Sequence, residues 1–438
     1  MLHYDLIVIG FGKAGKTIAA KMSASGQKVA LIEQDSEMFG GTCINIGCIP
    51  TKTLIHAAEQ GLSFQAAMTL KETVVSRLND KNKKALVGAG VDLYNAHARF
   101  IENKIVEITL GEDLETLTAD TIIINTGAVV NIPSIAGATA LKNVFDSTGI
   151  QRLEKLPERL AIIGGGSIGL EFASLYARLG SQVTVFEQHS EILSHYEPEI
   201  AALAQTYLAD AGISVRLATS ITALENAGAS VIVTVDGHEE TYDALLYALG
   251  RKPATQQLGL ENTEIKLTAN GAIDVNDDLE ASVPGIYAVG DVTGGPQFTY
   301  TSLDDSRIVL HKLLHDGNYK RSDRVNVPHT LFINPPLAQV GLTEAQAAEA
   351  GLPYMAKTLA VATMPRGHVN NDLRGMYKVV VNSESKAILG ATLLGVNSEE
   401  IINLIKLAMD NHVPYTYLRD QVFTHPTMSE NLNDVFDI

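Results

Sequence analysis

Apolar and polar positions at the start of the chain follow the pattern of a β-α-β unit. Apolar runs at residues 5–9 and 28–33 predict two buried strands. Between them lies the glycine-containing segment GFGKAG, followed by residues 16–24, which we predict to be helical. The expected order is therefore strand, glycine turn, helix and strand.

A second copy of this unit begins near residue 160. The segment LAIIGGGSIGLEFASLYARLGSQVTVFEQ repeats the apolar run, the glycine turn, a helix and a second apolar run that ends in an acid. The stripe expected of a helix packed on a sheet is formed by Ile168, Phe172, Leu175 and Leu179. Two such copies predict two nucleotide-binding folds in one chain.

The remaining segments suggest a third, different domain. Residues 121–130 read as a buried strand that ends in a glycine turn, and polar stretches at 145–160, 247–255 and 315–328 are candidate domain crossings. Beyond them, strands around KVVVN and GATLLG and the amphipathic helix EEIINLIKLAMDN form a mixed pattern without a phosphate loop. We predict an α/β protein with two Rossmann-like dinucleotide-binding domains and a C-terminal α+β domain.

Composition narrows the function classes. The 438 residues are 46% hydrophobic, enough for two or three folded domains, and the formal net charge of −17 argues against a nucleic-acid partner. The N-terminus lacks signal-peptide features, and no apolar run reaches the length of a membrane span. We therefore expect a cytoplasmic protein without a membrane partner, in which a close cysteine pair is redox-active or metal-binding.

The first glycine turn has the spacing of a dinucleotide site. Gly10, Gly12 and Gly15 form G-x-G-x-x-G between a strand and a helix, and Glu33 ends the next strand. In this motif the glycines allow the turn, the approach of a diphosphate and close helix packing, while the acid accepts hydrogen bonds from a ribose.

The second turn repeats the motif with Gly164, Gly166, Gly169 and Glu187. Two sites imply two dinucleotides, most simply a flavin and a nicotinamide. Because a carboxylate repels a 2′-phosphate and no arginine follows Glu187, we expect NADH to be preferred over NADPH.

The chain has only two cysteines, Cys43 and Cys48, within GGTCINIGCIPTK. Gly47 and Pro50 make an irregular first helical turn plausible, which allows the two thiols to close a small ring. The alternatives are two buried structural cysteines or a zinc site, and the second lacks neighbouring His or Cys ligands.

These motifs resemble those of the pyridine nucleotide-disulfide oxidoreductases, and the match runs in order from the cysteine segment through LGRKP and IYAVGDV to HPTMSE. The resemblance implies that Cys43 is the interchange thiol and that Cys48 packs against FAD. It implies that Lys52 lies near the flavin and pairs with Glu171. It further implies that Asp291 binds FAD.

The resemblance also implies an acid-base pair, His425 and Glu430, that reaches the active site of the other subunit of a homodimer. It divides the chain into FAD-binding segments 1–147 and 254–324, an NAD(P)H-binding segment 148–253 and a dimerisation domain 325–438. On the same basis we assign NAD contact to Gly250 and further FAD contacts to Thr42, Lys52, Thr126, Gly127 and Gly290.

Stretches such as FGKAGKT and GGPQFTYTSLDD resemble a bacterial subgroup of the family that is associated with reactive-chlorine resistance and reduction of copper(II). The expected acceptor is therefore Cu(II), a transient ligand of Cys43 and Cys48. The alternatives are a disulfide reductase such as dihydrolipoyl dehydrogenase, a mercuric reductase-like enzyme, and a flavin-bearing sensor without turnover. Mercury is disfavoured because the chain lacks a C-terminal cysteine pair and an N-terminal metal-binding extension.

Overall fold

The structure is a computed structural model that describes residues 1–138 and 141–438. The strands are β1 Leu2–Ile9, β2 Val29–Glu33, β3 Asp92–Asn95, β4 His97–Glu102, β5 Ile105–Leu110, β6 Asp113–Ile124, β7 Ala128–Val130, β8 Val144–Phe145, β9 Arg159–Ile163, β10 Gln182–Phe186, β11 Ile213–Arg216, β12 Ile221–Ala227, β13 Ser230–Val235, β14 His238–Tyr242, β15 Ala244–Tyr247, β16 Arg251–Pro253, β17 Ile286–Ala288, β18 His329–Leu331, β19 Leu337–Gly341, β20 Tyr354–Ala360, β21 Met376–Asn382 and β22 Ile388–Leu394.

The helices are α1 Lys13–Ala24, α2 Thr42–Asn45, α3 Cys48–Glu59, α4 Phe64–Gly88, α5 Ser167–Leu179, α6 Pro198–Asp210, α7 Thr299–Leu314, α8 Glu344–Glu349, α9 Pro365–Asn370, α10 Ser398–Asp410, α11 Tyr415–Asp420 and α12 Leu432–Val435. None of the helices in residues 1–138 and 141–438 is long and apolar enough to cross a membrane.

The chain forms two compact units. Unit 1 comprises residues 1–132, 146–155 and 249–323, and unit 2 comprises 133–145, 156–248 and 324–438. Each unit is assembled from separate stretches of the chain, and several of the changes from one unit to the other fall within or next to the polar segments that the sequence offers as crossings. The four-segment division at residues 147, 253 and 324 stays a prediction.

Unit 1 is built on a seven-stranded sheet with the order β3-β2-β1-β6-β5-β4, and β17 also pairs with β6. The pairs β1–β2, β1–β6, β2–β3 and β6–β17 are parallel, whereas β4–β5 and β5–β6 are antiparallel. Successive residues of β1 serve opposite faces of this sheet: Ile7 and Ile9 belong to one apolar core, Leu6 and Val8 to the other. A continuous apolar run is the consequence, because both faces are covered.

The predicted β-α-β order at the N-terminus is confirmed, with one change of boundary. Helix α1 begins at Lys13, three residues before the predicted start, because Gly12 is the N-cap and the last glycine of the motif lies inside the first turn. Glycine lowers helix propensity in isolation, but close packing against the sheet outweighs that preference here. The glycine motif is therefore both turn and helix start.

Unit 2 contains a parallel sheet, β11-β10-β9-β15-β8, and a three-stranded antiparallel sheet, β12-β13-β14. Helix α5 connects β9 to the parallel strand β10, and it buries Phe172 and Leu175 of the predicted apolar stripe. The second predicted unit therefore has the expected order of strand, glycine turn, helix and strand. Its inner strands β9 and β10 are mostly buried, as expected for a parallel sheet with both faces covered.

The C-terminal part of unit 2 is an antiparallel sheet with the order β18-β19-β22-β21-β20. The predicted strands around KVVVN and GATLLG are the paired neighbours β21 and β22, and the predicted amphipathic helix is α10. Helix α10 buries Ile401, Ile402 and Ile405 in the core of this domain, while Leu404 and Leu407 stay exposed.

Candidate functional site

The two cysteines lie on consecutive short helices of unit 1. Cys43 is within α2, and Cys48 is the first residue of α3, with the irregular residues Ile46 and Gly47 between the helices. The structure has both side chains as thiols, and the Cys48 Sγ lies 3.6 Å from the Thr299 Oγ1. The predicted irregular turn near a helix start is present.

The surroundings of the Cys43 thiol raise its pKa. A side-chain hydrogen bond with Cys48, burial, and the charge that Cys48 carries as a thiolate raise the pKa of Cys43, whereas a hydrogen bond with Thr299 and the positive charge of Lys16 act in the opposite direction. Two thiols that share a hydrogen bond lose one proton readily and the second with difficulty. The pair is therefore suited to hold one negative charge.

The cysteine segment packs directly on the first glycine turn. A Cβ atom added at Gly41, which has a φ of +84°, would lie 2.8 Å from the Gly12 Cα. Only glycine allows this approach, because another residue would both clash and strain the backbone. The contact places the thiols beside the segment that the sequence predicts to bind a diphosphate.

The glycine turn is fixed by a side chain that sequence reasoning missed. The buried Asn125 accepts a hydrogen bond from the Gly15 N–H through its Oδ1 (2.8 Å) and donates from its Nδ2 to the Val289 carbonyl (2.8 Å). It thereby joins the first glycine motif to the strand before Asp291. Its only signal in the sequence is its position at the end of the predicted buried strand, one residue before Thr126.

The glycine turn has features that fit a bound dinucleotide. The start of α1 carries no acidic residue in its first turn, so the positive end of the helix dipole is open to an anion. Nearby in unit 1 is Arg251, whose Nε is buried and has no hydrogen-bond partner among the described residues. Burial lowers the Arg251 pKa, and Asp291 opposes that shift. Buried N–H groups are normally hydrogen-bonded, so the Arg251 Nε–H is suited to donate to an acceptor group of a bound dinucleotide.

The other predicted FAD residues of unit 1 surround this region. The Gly290 N–H donates to the Asp305 Oδ2 (2.7 Å), and burial raises the pKa of the adjacent Asp291. Thr126 donates from its Oγ1 to the Ala254 carbonyl (2.8 Å). The remaining predicted FAD residues lie on α2 (Thr42), on α3 (Lys52) and in the turn before β7 (Gly127). Gly250, which the sequence assigns to NAD contact, lies just before β16 in unit 1.

The carboxylate of Glu33 caps the first motif. Its Oε2 accepts from the Phe11 N–H (2.9 Å) and its Oε1 from the Asp35 N–H (3.2 Å). Burial is the main influence on this group, and it raises the Glu33 pKa against those hydrogen bonds. A carboxylate has about four acceptor sites, so ribose hydroxyls can still bind.

The second glycine motif is likewise bound by the carboxylate that follows it, and its glycines pack closely. A Cβ at Gly169 would lie 1.9 Å from the Gly164 carbonyl oxygen, so helix and turn touch through glycine alone. Glu187 accepts from the Gly165 N–H (2.7 Å), the His189 N–H (2.9 Å) and the His189 Nδ1 (2.6 Å). Burial opposes ionisation of Glu187, but these donors outweigh it and lower its pKa. His189 was missed by the sequence analysis, although it lies two residues after the predicted acid.

The predicted acid-base residues of unit 2 are held in defined positions. His425 and Glu430 are joined by a 2.7 Å hydrogen bond from Nδ1 to Oε2, and the Thr427 N–H donates to the other carboxylate oxygen (3.2 Å). The histidine side chain is 68% exposed and the glutamate 17%, so the ring is oriented by a partly buried carboxylate. The buried Glu171 accepts from the Phe332 N–H (3.0 Å). Its pairing with Lys52 stays a prediction.

Fold and site define a class of protein. Residues 4–306 match the family model described as pyridine nucleotide-disulphide oxidoreductase, and residues 327–436 match the dimerisation domain of that family. The chain belongs to the pyridine nucleotide-disulfide oxidoreductase family. The predicted fold class, two Rossmann-like domains and a C-terminal α+β dimerisation domain, is confirmed, and the family implies FAD and a pyridine nucleotide.

Among its relatives, the chain is 46% identical to the probable pyridine nucleotide-disulfide oxidoreductase RclA of Escherichia coli, over 100% of both chains. It is 33% identical to the mercuric reductase of Staphylococcus aureus, covering 98% of this chain and 81% of that one. It is 31% identical to the dihydrolipoyl dehydrogenase of Geobacillus stearothermophilus, covering 98% and 94%. The predicted resemblance to one bacterial subgroup is confirmed by the full-length match.

A solved structure of the same kind of protein also matches this chain. The Cu(II) complex of the HOCl-induced flavoprotein disulfide reductase RclA from Escherichia coli matches this chain with a TM-score of 0.97 and 46% identity. The match covers 100% of this chain and 99% of that one. An NAD(P)H-dependent flavoprotein oxidoreductase is therefore the enzyme class of this chain.

Proposed function

We propose that this protein passes electrons from NADH through FAD and the Cys43–Cys48 pair to Cu(II), as part of a defence against oxidative or reactive-chlorine stress. The observation that carries the proposal is the contact of Gly41 with Gly12, which sets the thiols beside the first dinucleotide turn. The choice of Cu(II) is supported by the Cu(II) complex of the 46% identical RclA.

The residues of unit 1 fit FAD. The turn Gly10–Gly15 would hold the diphosphate of FAD, and Glu33 would bind its ribose. Asp291 and Arg251 would contact the polar groups in the middle of the FAD molecule. When bound, FAD supplies the chemistry that accepts a hydride and passes electrons to a disulfide. In this proposal, Thr299 and Lys16 favour a negative charge on the thiol pair, and the Thr299 hydroxyl on α7 contacts the Cys48 Sγ at 3.6 Å.

The proposed acceptor step balances as two one-electron transfers. The dithiol of Cys43 and Cys48 reduces two Cu(II) ions to Cu(I), forms one S–S bond and releases two protons. NADH and one proton restore the dithiol and leave NAD⁺. Thiolates are soft ligands that prefer Cu(I), so binding at the cysteines favours the reduced metal.

The acceptor is tested by steady-state oxidation of NADH with purified protein. Cu(II), lipoamide, oxidised glutathione, Hg(II) and oxygen alone are supplied in separate reactions, and Cu(I) is measured with a chromogenic chelator. We expect Cu(II) to give the highest rate, at about two Cu(I) per NADH from the electron count. A higher kcat/KM with lipoamide would replace Cu(II) by a disulfide as the acceptor.

A disulfide substrate is the second candidate, and the His425–Glu430 pair favours it. The 2.7 Å hydrogen bond orients the imidazole as it would be for protonating a leaving thiolate. Reduction of a metal ion has no such leaving group. Replacing His425 by glutamine should therefore lower the rate of disulfide reduction strongly and the rate of Cu(II) reduction little. The separate reactions with lipoamide, oxidised glutathione and Cu(II) distinguish these two functions.

The preference for NADH is expected to depend on Glu187. Its carboxylate is ionised and held by three donors, so it repels a 2′-phosphate at the end of β10. We expect Glu187→Ala to raise the ratio of kcat/KM for NADPH over NADH by about tenfold, the effect of about 1.4 kcal/mol. Glu191→Ala, an exposed acid in the following loop, is the matched control and should leave the ratio unchanged.

The protein is proposed to act as a homodimer with an active site shared between subunits. The dimerisation-domain match covers residues 327–436. This part exposes apolar side chains of the kind that a dimer interface covers, among them Leu404, Leu407, Tyr417 and Val422. The exposed His425 belongs to the same domain. A cytoplasmic location stays a prediction.

A further inference from the structure

A fixed positive charge lies beside the cysteine segment of unit 1. The Lys16 Nζ donates to the Asn82 Oδ1 (2.6 Å) and to the Gly40 carbonyl (3.3 Å). The Asn82 amide is itself oriented, because its Nδ2 donates to the Leu78 carbonyl (2.7 Å) one turn earlier on α4. Lys16 is thus held by two neutral acceptors and is not paired with a carboxylate in these contacts.

This lysine acts on Cys43. Gly40 lies three residues before the cysteine, and the Lys16 charge is among the influences that lower the Cys43 pKa. Burial lowers the Lys16 pKa to about 8, so the ammonium is still mostly charged at neutral pH. A cation whose hydrogen-bond partners are neutral is not neutralised by them, so its charge still acts on other nearby groups. The thiol that this charge acts on is the predicted interchange thiol.

We propose that Lys16, anchored by Asn82 and Gly40, selects anionic reaction partners at Cys43. The group is a specificity-determining cation, and the partner class is small electrophiles or oxidants that carry a carboxylate or another oxyanion. The proposal rests on the function proposed above, because it describes what approaches the same thiol. Cu(II) would then be met as an anionic chelate, since a bare dication is repelled by the ammonium.

The test compares two alkylating reagents of equal size and different charge. The FAD-containing protein is reduced with a phosphine, and the rates of Cys43 alkylation by iodoacetate and by iodoacetamide are measured near neutral pH, with peptide fragmentation assigning the site. In both reactions one S–C bond forms and one iodide leaves. The ratio of the two rates cancels the fraction of thiolate, because both reagents attack the same species.

We expect Lys16→Met to lower the iodoacetate-to-iodoacetamide ratio by about fivefold, a size typical of one partly screened charge. Lys16→Arg should keep most of the ratio. Asn82→Ala, which releases the anchor, should lower it less than Lys16→Met, and added salt should reduce the wild-type ratio. Lys13→Met removes a positive charge one turn away on the same helix and is the matched control.

Three results would overturn the proposal: an unchanged ratio in Lys16→Met, an equal loss in Lys13→Met, or an equal loss in Lys16→Arg. If Lys16→Met does not fold, the rate ratio in Asn82→Ala and the salt dependence of the wild-type ratio still test the proposal. An unchanged ratio in both measurements would overturn it. Alkylation requires neither NADH nor Cu(II), so failure of the proposed copper reduction leaves this test intact.

Discussion

Replacing Cys43 by serine is expected to abolish NADH-dependent reduction of Cu(II), with a loss of at least about 100-fold in kcat. The physical reason is that serine can neither form the disulfide with Cys48 nor carry a soft thiolate ligand for copper. The measurement is the steady-state production of Cu(I) in wild-type and variant protein at equal FAD content.

The same variant contains its own control. In the proposed function, NADH binds at the second glycine motif and Glu187, which Cys43→Ser does not alter, so NADH should still reduce the bound FAD at close to the wild-type rate. Cys48→Ser should show the same separation of the two activities. Copper reduction that persists in both variants would mean that electrons leave without the thiols, and it would end the dithiol proposal.

Replacing Lys378 by methionine is expected to destabilise unit 2 by about 3–5 kcal/mol, because it leaves the buried Glu197 carboxylate without its cation. Lys378 lies on β21 and its ammonium contacts Glu197 (3.0 Å), Glu199 (2.6 Å) and Glu344 (2.7 Å). Burial works against its charge, but the three carboxylates raise the Lys378 pKa above its usual range. The side chain thus joins the start of α6, the start of α8 and the C-terminal sheet.

Urea unfolding, followed by the loss of secondary structure, measures this effect as a lower midpoint. The control is Lys84→Met, which removes an exposed pair with Asp80 at 2.6 Å and should cost less than about 1 kcal/mol. Adding Glu197→Gln to Lys378→Met should recover part of the loss, because it removes the most deeply buried of the three charges. Equal midpoints for the two single variants would show that the cluster adds no more than a surface pair.

The local features of the site were predictable because they are written in contiguous residues. Each glycine motif lies within six residues, directly after a strand. The helix, the second strand and the acid follow within about 25 more residues, so spacing alone indicates a dinucleotide turn. The cysteine pair is equally local, with Gly47 and the start of α3 where the irregular turn was expected. The boundary of α1 was the part that spacing placed three residues too late.

The parts that the sequence analysis missed are side chains whose partners are distant in the chain. Asn125 joins Gly15 to Val289 across 110 and 164 positions, and Lys16 joins Gly40 to Asn82 on α4. An asparagine after a strand or a lysine on a helix has no distinctive pattern by itself. Both acquire a role only when folding brings their partners within hydrogen-bond distance.

The sequence by itself determined the two glycine turns, the C-terminal mixed domain and the close spacing of the two cysteines, because these depend on residue type and short spacing. Only the tertiary structure decided that Gly41 packs on Gly12, that Arg251 is buried with an unmatched N–H among the described residues, and that Lys16 faces the cysteine segment. The physical reason is that contact, burial and the direction of a charge are properties of neighbours in space, and folding brings these together from separate stretches of unit 1.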